Sequence, residues 1–220
     1  MELHGKALVM SKAAATDRIL LAAKQLFAEA GYEYTSTSSI ARAAQTSESQ
    51  IIKHYGSKEG LLEAIFEDGW RNIGEAFGAV EYLPAPTARL QALVGLVLTR
   101  LDEDDQLKRL FLLEGRKVRK QGHMILMTRG FRSLVQHIDA LLTEMKETGQ
   151  LRSDLNVEGV RSALIGMMEG LMRDRMLASR SGYSASFSSE DIRKIFLHVL
   201  QSFSTSPLML VKPSKTQGRT

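Results

Sequence analysis

Residues 35–62 contain two short helical patterns separated by a polar break, and this stretch constrains the fold more than any other part of the chain. The apolar residues of each pattern fall on one helical face: Ile40, Ala41 and Ala44 in the first, and Ile51, Ile52 and Tyr55 in the second. Gln45-Thr46-Ser47 interrupts the apolar period with side chains that favour turns and helix caps. This arrangement predicts a helix-turn-helix, a motif whose second helix can enter the major groove of DNA.

Helical periodicity continues through most of the remaining sequence, and no segment shows the period-two alternation of a strand. Further helices are predicted from Thr16 to Ala30 and over 58–82, 87–101, 104–114, 122–147, 157–179 and 189–203. We therefore predict an all-α fold of about nine helices. A three-helix unit over 13–60 is expected to precede a larger helical domain over 61–206, with disordered tails at 1–12 and 207–220.

Composition excludes several classes of protein. The chain has no cysteine, which excludes disulfides and thiolate metal sites, and no apolar run approaches the length of a membrane span. We expect a cytoplasmic protein without a membrane partner, since no export signal is recognised. The five histidines show no metal-ligand spacing, and no nucleophile motif or phosphate-binding loop is present. We therefore predict no enzyme, no catalytic residues, no metal and no cofactor.

Polar side chains around the two short helices are candidate DNA ligands. The net charge of +4 is not the argument for them, because most of the surplus lies in the tail after Pro207. The candidates at the two helix starts and along the second helix are Thr35, Ser36, Thr37, Ser47, Glu48, Ser49, Gln50, Lys53, His54 and Lys58. Gln50 suits adenine, whereas lysine and histidine suit phosphate. The alternative is that these are ordinary solvated side chains.

A longer set of residues resembles the DNA-binding domain of the tetracycline-repressor-like (TetR) family. The matching residues within 17–66 are Ile19-Leu20, Ala22-Ala23, Leu26-Phe27, Gly31-Tyr32, Thr35, Ile40-Ala41, Ala44, Ser47, His54-Tyr55, Ser57-Lys58-Glu59 and Leu61-Leu62. The resemblance implies a homodimeric regulator, with double-stranded operator DNA and a small-molecule effector as partners. Our hypothesis is a repressor that binds a near-palindromic operator and is released from it by a small, largely apolar effector. An activator, a nucleoid-type DNA-binding protein and a helical interaction module that does not bind DNA are the alternatives.

The match departs from the family pattern at the turn and on the second helix. Gln45 and Thr46 replace the usual Gly-Val, and Ser49 and Gln50 replace Gly-Thr. Ile52 replaces an aromatic residue that often contacts the DNA backbone. Without glycine at position 45, either Gln45 adopts an unfavourable backbone or the turn differs.

The second half is expected to hold the effector and the dimer interface that the resemblance implies. Candidate effector-lining residues are Phe66, Trp70, Ile73, Phe77, Leu112, Met124, Met127 and Phe131, with Arg100, His123, His137 and Arg173 as partners for a carboxylate. For each apolar residue taken singly, ordinary core is the favoured alternative, while a pocket as a whole is favoured over any one of its members. Candidate dimer residues are Leu164, Met167, Met168, Leu171, Phe196 and Leu200. A stripe of Gly159, Ala163, Gly166 and Gly170 predicts close approach of another helix, either the partner's or the subunit's own.

Overall fold

The described part of the chain consists of α-helices joined by turns and loops, without a β-strand. The computed structural model describes residues 2–119, 124–182 and 184–205, with side chains from Ala15 onward except at 179–181. Its helices are α1 (Glu2–Ala30), α2 (Thr37–Ala43), α3 (Glu48–Tyr55), α4 (Lys58–Gly74), α5 (Pro86–Glu103), α6 (Asp105–Glu114), α7 (Arg129–Glu147), α8 (Val157–Ser181) and α9 (Ser189–Phe203), with a 3-10 turn at Phe77–Ala79. The predicted all-α class is confirmed. Among the described residues, no helix is long and apolar enough to cross a membrane.

Three helix boundaries differ from prediction. Helix α1 begins at Glu2 and so includes most of the tail predicted at 1–12, while the tail predicted at 207–220 lies outside the described residues. Helix α4 ends at Gly74 and does not reach 82. Helix α7 begins at Arg129 because the buried Thr128 hydroxyl accepts a hydrogen bond from the Phe131 amide, 3.3 Å away, as a helix cap does.

The chain packs as two units that interleave along the sequence. One unit comprises Met1–Gly74 and Arg100–Ser133, and the other comprises Glu75–Thr99 and Leu134–Thr220. The functional division at residue 60 therefore remains a prediction, distinct from this division by packing.

In the first unit, α1 packs against α2, α4 and α6, and α3 packs against α2 and α4. The predicted small core is buried at Phe27, Ile40, Ala44 and Ile51, whereas Leu26 is only partly buried. Ile19 and Ala23 of α1 and Leu61, Leu62 and Ile65 of α4 complete this core. Helices of seven and eight residues are marginal in isolation, so α2 and α3 depend on this shared burial.

Helix α3 is held at its C-terminal end by two close contacts. The Tyr55 hydroxyl donates to the carbonyl of Thr16 in α1 at 3.0 Å. On the α4 side, a Cβ added at Gly60 would lie 2.1 Å from the Tyr55 carbonyl oxygen, so only glycine allows this approach. The position of α3 is therefore fixed from both neighbouring helices.

The second unit shows that most predicted dimer residues are internal. Along α8, Val160, Leu164, Met168 and Met172 recur every four residues and are buried, as are Ile192, Phe196 and Leu200 of α9. Helices α8 and α9 pack together, and this spacing presents one apolar stripe from each helix. The assignment of Leu164, Met168, Phe196 and Leu200 to a dimer surface was wrong, while Met167 and Leu171 are partly exposed.

The small-residue stripe of α8 faces away from this core. Gly159, Ala163, Gly166 and Gly170 are all exposed, and a Cβ added at Gly166 or Gly170 would meet nothing within 4 Å. Leu177 continues the stripe and is 38% exposed. Of the two orientations left open by the sequence, the structure thus rejects packing of the stripe against the subunit's own core.

Most predicted effector-lining residues are tightly packed. Phe66, Trp70, Ile73, Phe77, Leu112 and Phe131 are buried, Met124 is partly buried, and Met127 is 41% exposed. The centre of the Trp70 ring lies 5.5 Å from that of Phe111, in an edge-on arrangement, and 5.2 Å from that of Phe131, in a tilted one. His137 and Phe77 both belong to the second unit, and their ring centres lie 5.2 Å apart. His123 lies outside the described residues.

The backbone of Gln45 generates a stability prediction. Gln45 is the one non-glycine residue with positive φ, +52°, in the described part of the chain. Replacing it with glycine removes the steric cost of this conformation, and we expect the free energy of unfolding to rise by about 1 kcal/mol. Urea unfolding followed by circular dichroism measures the change. Gln45→Ala is the matched control and should give no gain, because alanine keeps a Cβ; equal stabilisation by both variants would contradict the strain.

Candidate nucleic-acid interface

The candidate interface is built by α2, α3 and the turn that joins them. Ser36 caps α2 by accepting a hydrogen bond from the Ser39 amide at 3.0 Å, and Ser47 caps α3 by accepting one from the Gln50 amide at 3.4 Å. Both capping serines are exposed. Each helix start thus combines an exposed hydroxyl with backbone amides, the groups that receive DNA phosphates.

The turn between the helices closes as a Schellman motif. The Gln45 amide donates to the Arg42 carbonyl at 3.2 Å, and the Thr46 amide donates to the Ala41 carbonyl at 2.9 Å. This motif requires a left-handed residue at position 45, usually glycine. Of the two possibilities raised by the sequence, the chain therefore uses the strained Gln45 backbone, and the helix-turn-helix geometry is kept.

The outward face of α3 carries the predicted reading residues. Ser49, Gln50 and Lys53 are exposed, while Ile51 on the opposite face is fully buried. His54 is partly buried, with its ring 6.3 Å from the ring of Tyr55. The helix therefore separates a buried apolar face from an accessible polar one.

Two further candidates are brought together by the fold. The Thr37 hydroxyl donates to the Glu48 carboxylate, which joins the start of α2 to the start of α3. This bond holds the two helix N-termini at a fixed spacing. Glu48 remains exposed, and its carboxylate has further acceptor positions that suit the amino group of cytosine.

Thr35 is not a DNA ligand in this fold, contrary to prediction. Its side chain is 3% exposed, and its hydroxyl lies 2.8 Å from the Gly31 carbonyl and 3.2 Å from the Leu26 carbonyl. The hydroxyl instead closes the end of α1, where helix carbonyls lack partners. Ser36, one residue later, takes the capping position that either residue was expected to fill.

Lys58, like Thr35, makes contacts within the fold. Its ammonium donates to the Thr35 carbonyl at 2.8 Å and lies 4.3 Å from the centre of the Tyr32 ring. The contact with the ring is a cation–π interaction, which lowers the cost of partial burial. Lys58 therefore helps to hold the α1–α2 turn, and its phosphate role remains a prediction.

Tyr32 also links this turn to the segment that follows α6. The Arg119 guanidinium lies 4.2 Å from the Tyr32 ring centre, and it pairs with Glu114 at 2.8 Å and Glu33 at 3.6 Å. Burial raises the pKa of the Tyr32 hydroxyl above its ordinary value, and Arg119 opposes that rise. These side chains border a shallow cavity of about 520 Å³, which Lys117, Val118 and Glu59 also line.

The burial pattern adds residues that sequence reasoning had not listed as ligands. Arg42 is exposed in the last turn of α2, Tyr34 is 90% exposed just before α2, and Ile52 is 48% exposed on α3. Helical spacing already placed Arg42 away from Ile40 and Ala44. Ile52 was assigned to the buried face, so its exposure required the structure.

Comparison with known proteins identifies the domain. Residues 19–65 match the family model described as "Bacterial regulatory proteins, tetR family". An uncharacterized HTH-type transcriptional regulator, YvkB of Bacillus subtilis, is 39% identical over 64 residues, which are 29% of this chain and 34% of that protein. The match thus spans about a third of that relative's length. The residues matched by the family model include α2 and α3, the helices that build the candidate interface.

Solved structures share the architecture of the whole chain. The fatty acid degradation regulator FadR of Bacillus halodurans aligns with a TM-score of 0.73 at 21% identity, covering 84% of this chain and 94% of that one. FadR of Bacillus subtilis in complex with stearoyl-CoA aligns with a TM-score of 0.69 at 19% identity, covering 83% and 96%. At these identities the likeness concerns the fold. Residues 19–65 thus match the DNA-binding domain of the tetR family, and the chain as a whole shares the fold of these solved regulators.

Proposed function

We propose that the chain is a ligand-responsive transcriptional regulator, a repressor that binds a near-palindromic operator through α3 of each subunit of a homodimer. The observation that carries this proposal is the exposed polar face of α3, bearing Ser49, Gln50 and Lys53 on a helix held rigidly from behind. Gln50 can pair with an adenine edge, and Lys53 with phosphate. The match of residues 19–65 to a family of regulatory proteins supports a regulator over an enzyme.

The exposed stripe of α8 supports the dimeric part of the proposal. Gly159, Ala163, Gly166 and Gly170 form an exposed stripe with no side chain larger than a methyl group, which a neighbouring helix can approach closely. Each helix glycine costs roughly 1 kcal/mol relative to alanine, so a stripe of them requires compensation. Close packing of a second subunit on α8 provides it. A two-fold axis then places two copies of α3 on two half-sites.

The surroundings of Trp70 support an effector that is largely apolar. Trp70 is 4% exposed among Phe111 and Phe131, and its indole N–H has no hydrogen-bond partner among the described residues. A buried donor without a partner is costly, and a ligand oxygen would satisfy it. The FadR neighbour that binds stearoyl-CoA points to long-chain acyl compounds as the class. We propose that such a ligand weakens operator binding.

The contacts of Lys58 and Arg119 with the Tyr32 ring offer a route for this effect of the ligand on operator binding within the first unit. Arg119 joins the segment after α6 to Tyr32 and Glu33, while Lys58 at the start of α4 contacts the same ring. A ligand that displaces α4 or α6 would therefore also move the α1–α2 turn that supports the interface. Regulation further requires that the ligand binds the two arrangements with different affinity.

Phosphate binding by Lys53 is tested by the salt dependence of DNA binding. We expect Lys53→Ala to reduce the magnitude of the slope of log affinity against log salt by about 1 per protomer, because one phosphate contact is lost. Fluorescence anisotropy with a duplex selected by the protein measures the slope. Lys194→Ala on α9 removes the same charge outside the helix-turn-helix and should leave the slope unchanged. An unaltered slope in Lys53→Ala would remove this residue from the interface.

The dimer assignment is tested by placing a large charged side chain on the α8 stripe. We expect Gly166→Arg to convert the dimer to a monomer in light scattering, because the stripe can no longer accept a helix. The helix itself should persist, since an added Cβ at this position has open space. Thr143→Arg on the exposed surface of α7 is the control and should remain dimeric. A monomeric parent protein at micromolar concentration would refute the assignment.

The effector class is tested with the only tryptophan of the chain as the reporter. We expect titration with stearoyl-CoA to change Trp70 emission saturably and to weaken operator binding roughly 5–150-fold, the usual range of allosteric coupling. Coenzyme A without the acyl chain is the control and should do neither. Unchanged emission and unchanged operator affinity with acyl chains of every length would exclude this class.

A further inference from the structure

Ile52 is an apolar side chain on an otherwise polar surface. It is 48% exposed, whereas its neighbour Ile51 is fully buried in the core. Of the large hydrophobic side chains that are exposed in the described part of the chain, Ile52 alone lies on α2 or α3. A single exposed isoleucine needs no explanation by itself. Its placement on the helix proposed to read DNA makes it informative.

The geometry of α3 places Ile52 among the reading residues. Residues three and four apart share a helix surface, so Ile52 adjoins Ser49 and Glu48, and both are exposed. Lys53 follows it on the outward face. Ile51 is fully buried and the Tyr55 hydroxyl bonds to α1, so these two residues mark the inward face of α3. Docking of α3 on DNA would therefore cover Ile52 together with these polar residues.

The chemistry of Ile52 restricts what it can recognise. Its side chain has no hydrogen-bond donor, so it cannot bind phosphate or a polar base edge. Among the base edges in the major groove, the thymine C5-methyl group is the apolar feature. We propose that Ile52 is a specificity-determining residue that contacts a thymine methyl group in each half-site of the operator. This assignment rests on the proposed function of α3 as the DNA-reading helix.

The proposal predicts a requirement for one methyl group. Duplexes retained by the full chain are first selected from a randomised pool, and each thymine is then replaced singly by deoxyuridine, which lacks only the C5-methyl group. We expect one position per half-site at which this replacement weakens binding about threefold to fivefold, the effect of exposing one methyl group to water. Ile52→Ala should bind the thymine and deoxyuridine duplexes equally. Leu21→Ala, the matched control, removes an exposed apolar side chain from α1 and should keep the preference for thymine.

The outcomes separate this proposal from the one beneath it. Failure to retain any specific duplex would overturn the proposed function and this assignment together. Selection of a specific duplex, with equal binding of thymine and deoxyuridine at every position, would overturn only the role of Ile52. The same holds if Ile52→Ala retains the full preference for thymine. Circular dichroism of Ile52→Ala should match the parent protein, since nearly half of the side chain is already exposed.

Discussion

The interface depends on burying the inward faces of two helices that are too short to be stable alone. Helices α2 and α3 have seven and eight residues, below the length at which isolated helices persist in water. Ile40, Ala44 and Ile51 enter a core built mainly by α1 and α4. The outward residues of α3 are therefore held in place by the packing behind them. Any change in α1 or α4 reaches the reading surface through this core.

Around the α1–α2 turn, side chains that stabilise the fold lie next to side chains that are proposed to contact DNA. Thr35 and Lys58 have the residue types of DNA ligands, yet both donate hydrogen bonds to backbone carbonyls of this turn. Tyr32 lies between Lys58 and Arg119 and joins the turn to α4 and to the segment after α6. These contacts give the fold a direct connection between the helices that are proposed to respond to effector and the helices that are proposed to bind DNA.

Much of the fold could be predicted because local signals agree with it. Serines placed before apolar periods cap α2 and α3 where the sequence predicts them, and the glycine-free turn is closed by Gln45 in a left-handed conformation. Two helix boundaries were harder to predict. The start of α7 depends on the burial of Thr128, and α4 ends at Gly74 within a run that remains apolar beyond it. The apolar periodicity of the sequence alone does not reveal either of these helix boundaries.

Site residues were less predictable, because residue type does not show whether a side chain faces the subunit's own core, solvent or a partner. Leu164 and Phe196 were expected to face a partner, but α8 and α9 bury them against each other. The α8 glycine stripe is the reverse case. Its sequence allowed it to face the subunit's own core, and in the structure it is exposed. Ile52 was placed by periodicity on the apolar face with Ile51, but it is 48% exposed while Ile51 is fully buried.

The central claim, that α3 reads the major groove, is tested most directly by cleaving DNA from α3 itself. The chain has no cysteine, so Ser49→Cys provides a single attachment point for an iron chelate that cleaves nearby DNA. On a duplex retained from a random pool, the account predicts two clusters of cuts related by two-fold symmetry, centred on major grooves about one helical turn apart. Cuts scattered as they are from a chelate at Thr143→Cys on α7 would contradict it.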